Sequence, residues 1–105
     1  MTVKLVVLYP HPLDVEQFEQ DYNQHHLVLM RELVGPDVPL PTYKVISPKE
    51  GSSPYYRVAE IHFNDRARLQ EFATSEKAQI GKASSEKVST GGKPILLICD
   101  EQAPV

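Results

Sequence analysis

Residues 14–35, DVEQFEQDYNQHHLVLMRELVG, read as one amphipathic helix with marked ends, and the rest of the chain is organised about it. Asp14 is placed as the N-cap, with Gln17 where a capping-box partner reaches back. Leu13 and Phe18 have the spacing of a hydrophobic staple. Gly35 followed by Pro36 is a stop. Val15, Phe18, Tyr22, Leu29 and Leu33 recur at three- and four-residue spacing, which predicts one buried stripe. His26 falls inside that stripe, one turn after Tyr22, and His25 sits at its edge, about 100° around the helix. A titratable ring on an otherwise apolar helix face is the feature the sequence asks to have explained.

On the N-terminal side, Val3 to Tyr9, VKLVVLY, is rich in β-branched residues and predicts a strand. Both of its faces are largely apolar, which a sheet with one solvated face does not need. On the C-terminal side, the proline-rich connection Pro36 to Pro41 cannot be regular structure. Thr42 to Ser47 predicts a second strand, Pro48 to Pro54 a turn of breakers and small polar residues, and Tyr55 to Phe63 a third strand, antiparallel to the second. Asn64 is read as the cap of a second helix, DRARLQEFAT, with Leu69, Phe72 and Ala73 inward. Ser75 is read as the cap of a third helical segment to about Val88, poor in large apolar residues and carrying Gly81. Ser89 to Lys93 is a turn, and Pro94 to Cys99 a fourth strand whose apolar run predicts burial on both faces. The order β-α-β-β-α-β is the ferredoxin-like arrangement: an α+β fold with helices on one face of a four-stranded antiparallel sheet. The other face then needs a cover that the remaining chain cannot supply and a second copy can, so a sheet-to-sheet homodimer is expected.

With 105 residues and no repeat or linker, the chain is read as one domain spanning 1–105. A net charge of −3 without a basic stripe argues against nucleic acid as partner. No apolar run is long enough for a membrane span, and the N-terminus lacks a signal-peptide cleavage pattern. The single cysteine, Cys99, forms no internal disulfide and fits a reducing cytoplasm.

Tyr22-x-x-x-His26 is the candidate for chemistry. Residues four apart share a helix face, and an imidazole with an unperturbed pKa of about 6.5 acts as acid or base near neutrality. The competing reading is a core histidine satisfied by backbone or a buried carboxylate. Neighbouring histidines do not converge on one ion, so no metal site is expected. On the third strand Glu60 and His62 share a face with Tyr56 and Val58, where they could orient His26 or sit at an exposed margin. The tyrosines at 9, 22, 43, 55 and 56 all lie on predicted strands or the first helix, as rings lining a small-molecule pocket do. Tyr9, Phe18, Leu29, Tyr56, Glu60 and His62 are the expected substrate-binding residues. His11 is expected in solvent and Cys99 as an inert thiol. Ser84 and Ser85 lack the GxSxG setting of a nucleophile, and no phosphate-binding glycine loop is present.

These residues carry a resemblance. The opening VKLVVLY, then FEQDYNQHHLVLMRELVG with Phe18, Tyr22, His26 and Leu29, then YYRVAEIHF and FATSEK, resemble the EthD-like proteins of the dimeric α/β-barrel, ferredoxin-like superfamily. Val28 stands where the family pattern has a proline. Ser84, Ser85 and Val88 stand where many members carry an acidic residue and an aromatic. The resemblance implies a sheet-to-sheet homodimer, a cavity between sheet and helices in each protomer, and His26 facing it. It also implies a place in bacterial degradation of small organic compounds, with some members labelled reductases.

Two classes of function follow. In the first, the chain acts without cofactor on a small, mostly apolar molecule, as an oxidoreductase or isomerase, with His26 as acid/base and Tyr22 orienting substrate. In the second, the same homodimer binds or delivers a hydrophobic metabolite without catalysis. An open cavity beside His26 favours chemistry or binding, and a filled interior with a satisfied ring favours a structural role.

Overall fold

The computed structural model describes residues 2–47, 49 and 53–103. Strand β1 (Val3–Pro10) leads into α1 (Val15–Asp21), a π-helical segment (Tyr22–His26) and α2 (Leu27–Val34) without a break. Then come β2 (Thr42–Lys44), β3 (Tyr55–Phe63), α3 (Arg66–Ala73), α4 (Glu76–Val88) and β4 (Ile95–Asp100). The sheet order is β2-β3-β1-β4 and every pairing is antiparallel. This is the ferredoxin-like α+β arrangement that the element order predicts. Most of the turn expected over Pro48 to Pro54 lies outside the described residues.

The ends of the first helix are set mostly by the expected residues. The Gln17 backbone N–H donates to the Asp14 carboxylate at 3.1 Å. Gly35 closes the helix at φ 89°, a backbone region that favours glycine. Two details differ. The Gln17 side chain donates to Asp21 instead of returning to the cap, and Leu13 is 85% exposed, so no staple forms. α3 is capped by Asp65, one residue after the expected Asn64, through the Arg68 N–H at 2.9 Å. Ser75 caps α4 as expected, through the Ala78 N–H. The prolines of the 36–41 connection run beside β3, where the Pro39 and Pro41 carbonyls accept from His62 and Glu60 N–H groups. A proline can accept such a bond but cannot donate one.

The π segment corrects the predicted stripe. The Leu27 N–H donates to the Tyr22 carbonyl, five residues back, so the helix holds one residue more than an α-helix over that stretch. Phe18, Tyr22 and His26 stay on the buried side, but the apolar face beyond them advances by one residue. Met30 is buried where Leu29 was expected, and Val15 is 46% exposed.

The register of β3 on β1 sorts the side chains. Val3, Leu5, Val7 and Tyr9 oppose Phe63, Ile61, Ala59 and Arg57 on the helix side. Lys4, Val6 and Leu8 oppose His62, Glu60 and Val58 on the open side. The pairing slips between Tyr9 and Pro10, leaving Tyr56 as an extra residue. That bulge turns Tyr56 to the helix side beside Arg57 and separates it from Glu60 and His62, with which plain alternation had grouped it. Two buried clusters result. One holds Val7, Tyr9, Phe18, Tyr22, Tyr56 and Val88. The other holds Val3, Met30, Ile61, Phe63 and Leu69.

Strand β4 is not buried on both faces within one chain. Ile95 to Ile98 are 41%, 48%, 43% and 60% exposed. Ile95 and Leu97 continue the open face through their partners Leu8 and Val6, and Tyr43 of β2 extends it beyond Val58.

Candidate active site

The π segment, α2, α3, α4 and the sheet surround a cavity of about 350 Å³ that lies between the two buried clusters. Its floor is apolar: Leu5, Val7, Ala59 and Ile61 from the sheet, with Leu27 and Met30 from the helix above. The exposed residues Gln79, Lys82, Leu96 and Ile98 mark its mouth, between α4 and β4. The small residues Ala78, Gly81 and Ser85 recur along the face of α4 that borders it. A Cβ on Gly81 would come within 2.9 Å of Met30 Sδ. The lack of large apolar residues in this segment is therefore what lets α4 lie close to α2 and still leave a hollow.

His26 enters this wall from the π segment and is 5% exposed. Its Nε2 is 3.3 Å from the Tyr9 hydroxyl, which is itself 2.8 Å from Ser85 Oγ. On the far edge of the ring, Nδ1 is 2.8 Å from Ser84 Oγ. Ser84 lies outside the cavity wall whereas Tyr9 and Ser85 line it, so the Nε2 edge is the one on the cavity side. Ser84, His26, Tyr9 and Ser85 form one chain of exchangeable protons. With the ring proton on Nδ1, His26 donates to Ser84 and accepts from Tyr9.

Burial without a charged partner lowers the His26 pKa to about 4, so the ring is neutral at pH 7. Burial likewise raises the Tyr9 hydroxyl above its ordinary value, against the opposing bond to Ser85. The imidazole is thus available as a proton acceptor with no competing protonated form. Its pKa is lower folded than unfolded, so the unfolded chain binds the proton more readily between about pH 6.5 and 4. Stability is expected to fall by at most about 3 kcal/mol as pH drops through that window, and no further from this group below it. Urea unfolding at pH 7 and pH 4.5 measures it, with His26→Gln lacking this component.

The expected site residues divide. Tyr9, Tyr22 and His26 line the cavity. The phenol beside His26 is that of Tyr9. The Tyr22 hydroxyl is turned to Thr42 Oγ1 at 2.9 Å, although its ring stands 5.5 Å from the imidazole. Phe18 is packed between Tyr9, Tyr22 and Tyr56 behind the wall. Leu29 is rotated away by the π turn. Tyr56 donates to Glu19, away from the cavity. Glu60 borders the cavity only along its strand, because its carboxylate is on the open face with His62 at 2.7 Å and Lys4 at 3.7 Å. Neither Glu60 nor His62 orients His26.

A second polar cluster, not foreseen, lies behind the aromatic group. Arg57 is buried and donates to both Glu19 oxygens at 2.9 and 2.7 Å and to Thr42 at 3.2 Å. Its guanidinium lies 4.6 Å from the centre of the Tyr22 ring. Burial pushes the Glu19 carboxyl up, but Tyr56, Arg57 and Asn23 outweigh it and hold it below the ordinary carboxylate value. Burial and the Glu19 carboxylate push Tyr56 up to about 12. The sequence signal for Ser84 and Ser85 was present, at the positions where the EthD-like pattern has other residues. Without the fold, nothing connected them to His26. Among the described residues, no three His, Cys, Asp or Glu side chains gather where a metal ion could be held. No helix of the described residues is long and apolar enough to cross a membrane.

Fold and site together define a ferredoxin-like α+β protein with a histidine-bearing apolar cavity between helices and sheet. The EthD domain model matches residues 10–87, and the chain belongs to that family. A solved ethyl tert-butyl ether D (EthD) family protein from Bacillus halodurans is 25% identical, with a TM-score of 0.83 over 97% of this chain and 100% of that one. A dimeric ferredoxin-like protein of unknown function from Jannaschia has a TM-score of 0.71 at 12% identity, over 96% of this chain and 100% of that one. A hydroxynitrile lyase from Passiflora edulis has a TM-score of 0.67 at 17% identity, over 98% of this chain and 97% of that one. Among curated proteins no sequence matches this chain.

Proposed function

We propose that this EthD-family protein acts on a small, mostly apolar organic molecule by proton transfer, with His26 Nε2 as the acceptor. The observation that carries the reading is a neutral imidazole in the wall of an apolar hollow, its Nε2 held only by a long 3.3 Å contact to Tyr9. Such a base removes a proton from an O–H or C–H of the bound molecule. The electron pair passes to a neighbouring carbonyl or leaving group, and the proton returns at another atom or leaves through Ser84. The weak 3.3 Å contact to Tyr9 is the one a substrate displaces. Isomerisation or elimination needs nothing more, whereas oxidation of the resulting carbanion needs dioxygen as co-reactant. The fold shared with a hydroxynitrile lyase supports the proton-transfer reading. The setting in this reading is the cytoplasmic breakdown of organic compounds, where the free thiol of Cys99 stays reduced.

The working unit in this proposal is a homodimer joined through the open sheet faces. Tyr43, Ile95 and Leu97 are about half exposed on this face and flank Leu8 and Val58, an apolar surface of the kind that marks an interaction site. A neighbour of like fold is described as dimeric, which supports a dimer. Sedimentation at micromolar concentration is expected to give a dimer, and a stable monomer overturns this part.

The test of the chemistry is exchange of substrate protons with D₂O, followed by NMR for a panel of small ketones, esters and hydroxynitriles. Acceleration by the protein over buffer is expected for at least one class. A second reading, a carrier without catalysis, is favoured by the fact that both His26 nitrogens already have protein partners. It predicts that such molecules bind and none exchanges faster.

A further inference from the structure

We propose that the ligand of this cavity is a small organic carboxylate, its apolar body lodged against the sheet and its anionic end held at the mouth by Lys82. The inference rests on the cavity being a binding site, as proposed above. Among the described residues of the wall, Lys82 and Glu60 are the ones with charged side chains, and Lys82 stands at the exposed mouth. The Glu60 carboxylate is on the other face of the sheet, held by Lys4 and His62.

Lys82 is also uncommitted. Among the described residues it has no carboxylate within 4.0 Å. Lys4 by contrast is paired with Glu60, and Lys44 lies over the Tyr56 ring. Gln79, one turn earlier on α4, lines the same mouth. An anion there meets an ammonium and an amide with nothing to displace but water.

Spacing adds a constraint. Gln79, Lys82 and Ser85 are three residues apart in succession and share one face of α4. Helical side chains lean toward the N-terminus. In this proposal the Lys82 head extends away from Ser85, which puts the bound anion about one helical turn, roughly 5 Å, from the Tyr9–His26 pair. The apolar floor spans that interval. The fitting molecule has a carboxylate at one end and its reacting atom at the other, with an apolar chain or ring between. A neutral molecule leaves Lys82 unused, and a second charge on the ligand has no partner inside.

Calorimetry with octanoate and octanamide, equal in length and different in charge, tests this at pH 7.5. Octanoate is expected to bind about fivefold to tenfold more tightly at low ionic strength, with the gap narrowing in roughly 1 M salt. Lys82→Met is expected to abolish the difference by weakening octanoate binding. Lys87→Met, the same charge change on an α4 residue outside the cavity wall, is expected to preserve it. Equal binding of the two probes, or a preference that survives in Lys82→Met, overturns the carboxylate assignment while leaving the cavity as a binding site. Binding of neither probe overturns both.

Discussion

His26→Gln is expected to lower the accelerated exchange of substrate protons about 10²–10⁴-fold while the protein stays folded, which is the range a positioned acid or base contributes. Glutamine offers an amide near the position of Nε2, so Tyr9 keeps a polar neighbour. Ser84 is partly exposed, and water can satisfy it. Tyr9 retains its 2.8 Å bond to Ser85. The thermal midpoint should therefore change little at pH 7, and octanamide should still bind because the apolar floor is untouched. An exchange rate in the variant equal to the wild-type rate removes His26 from the mechanism. Since the imidazole is already neutral, the wild-type kcat/KM profile should stay flat from pH 8 down and fall only near the low His26 pKa.

Arg57→Met is expected to destabilise the fold by about 3 kcal/mol, the lower end of the range for breaking a buried ion pair. The guanidinium is 7% exposed and is held by Glu19, Thr42 and the Tyr22 ring. Its removal leaves the Glu19 carboxylate beside the hydroxyl of Tyr56 with no cation. Glu19 is partly exposed, so water limits the loss. The Arg57 Nε has no partner although it is buried, so the pair is itself imperfectly satisfied. Adding Glu19→Gln to Arg57→Met should therefore recover part of the loss, because no uncompensated charge remains. Urea denaturation of the two single variants and the double variant measures it. A loss below about 1 kcal/mol for Arg57→Met, or none recovered in the double variant, would falsify the account of this cluster.

Much of the architecture was legible because local signals agreed. The third strand occupies Tyr55–Phe63 as read, bounded by breakers before it and the cap of α3 after it. Asp14, Gly35 and Ser75 mark helix ends through the bonds and backbone angle that their side chains predict. What was missed depends on single-residue insertions that periodicity assumes away. The π turn moved the core position from Leu29 to Met30, and the bulge moved Tyr56 from the side of Glu60 to that of Arg57.

The candidate site showed in the sequence as one residue and not as a constellation. His26 stood out as polar on an apolar face, and its partner phenol was sought on the same helix at Tyr22. The phenol came instead from β1, across the sheet, and the flanking serines from α4, 58 and 76 residues away along the chain from the groups they meet. Contacts of that separation are set by topology, and Gly81 lets α4 approach α2 so that Ser84 reaches the ring and Ser85 the Tyr9 phenol.

The His26 ring signals in an NMR pH titration, assigned by their loss in His26→Gln, test the central claim most directly. The account predicts titration near pH 4 and a shift of the same signals when octanamide is added at pH 7. A ring that titrates near 6.5 and ignores the probe is a solvated histidine away from any ligand, and would contradict it.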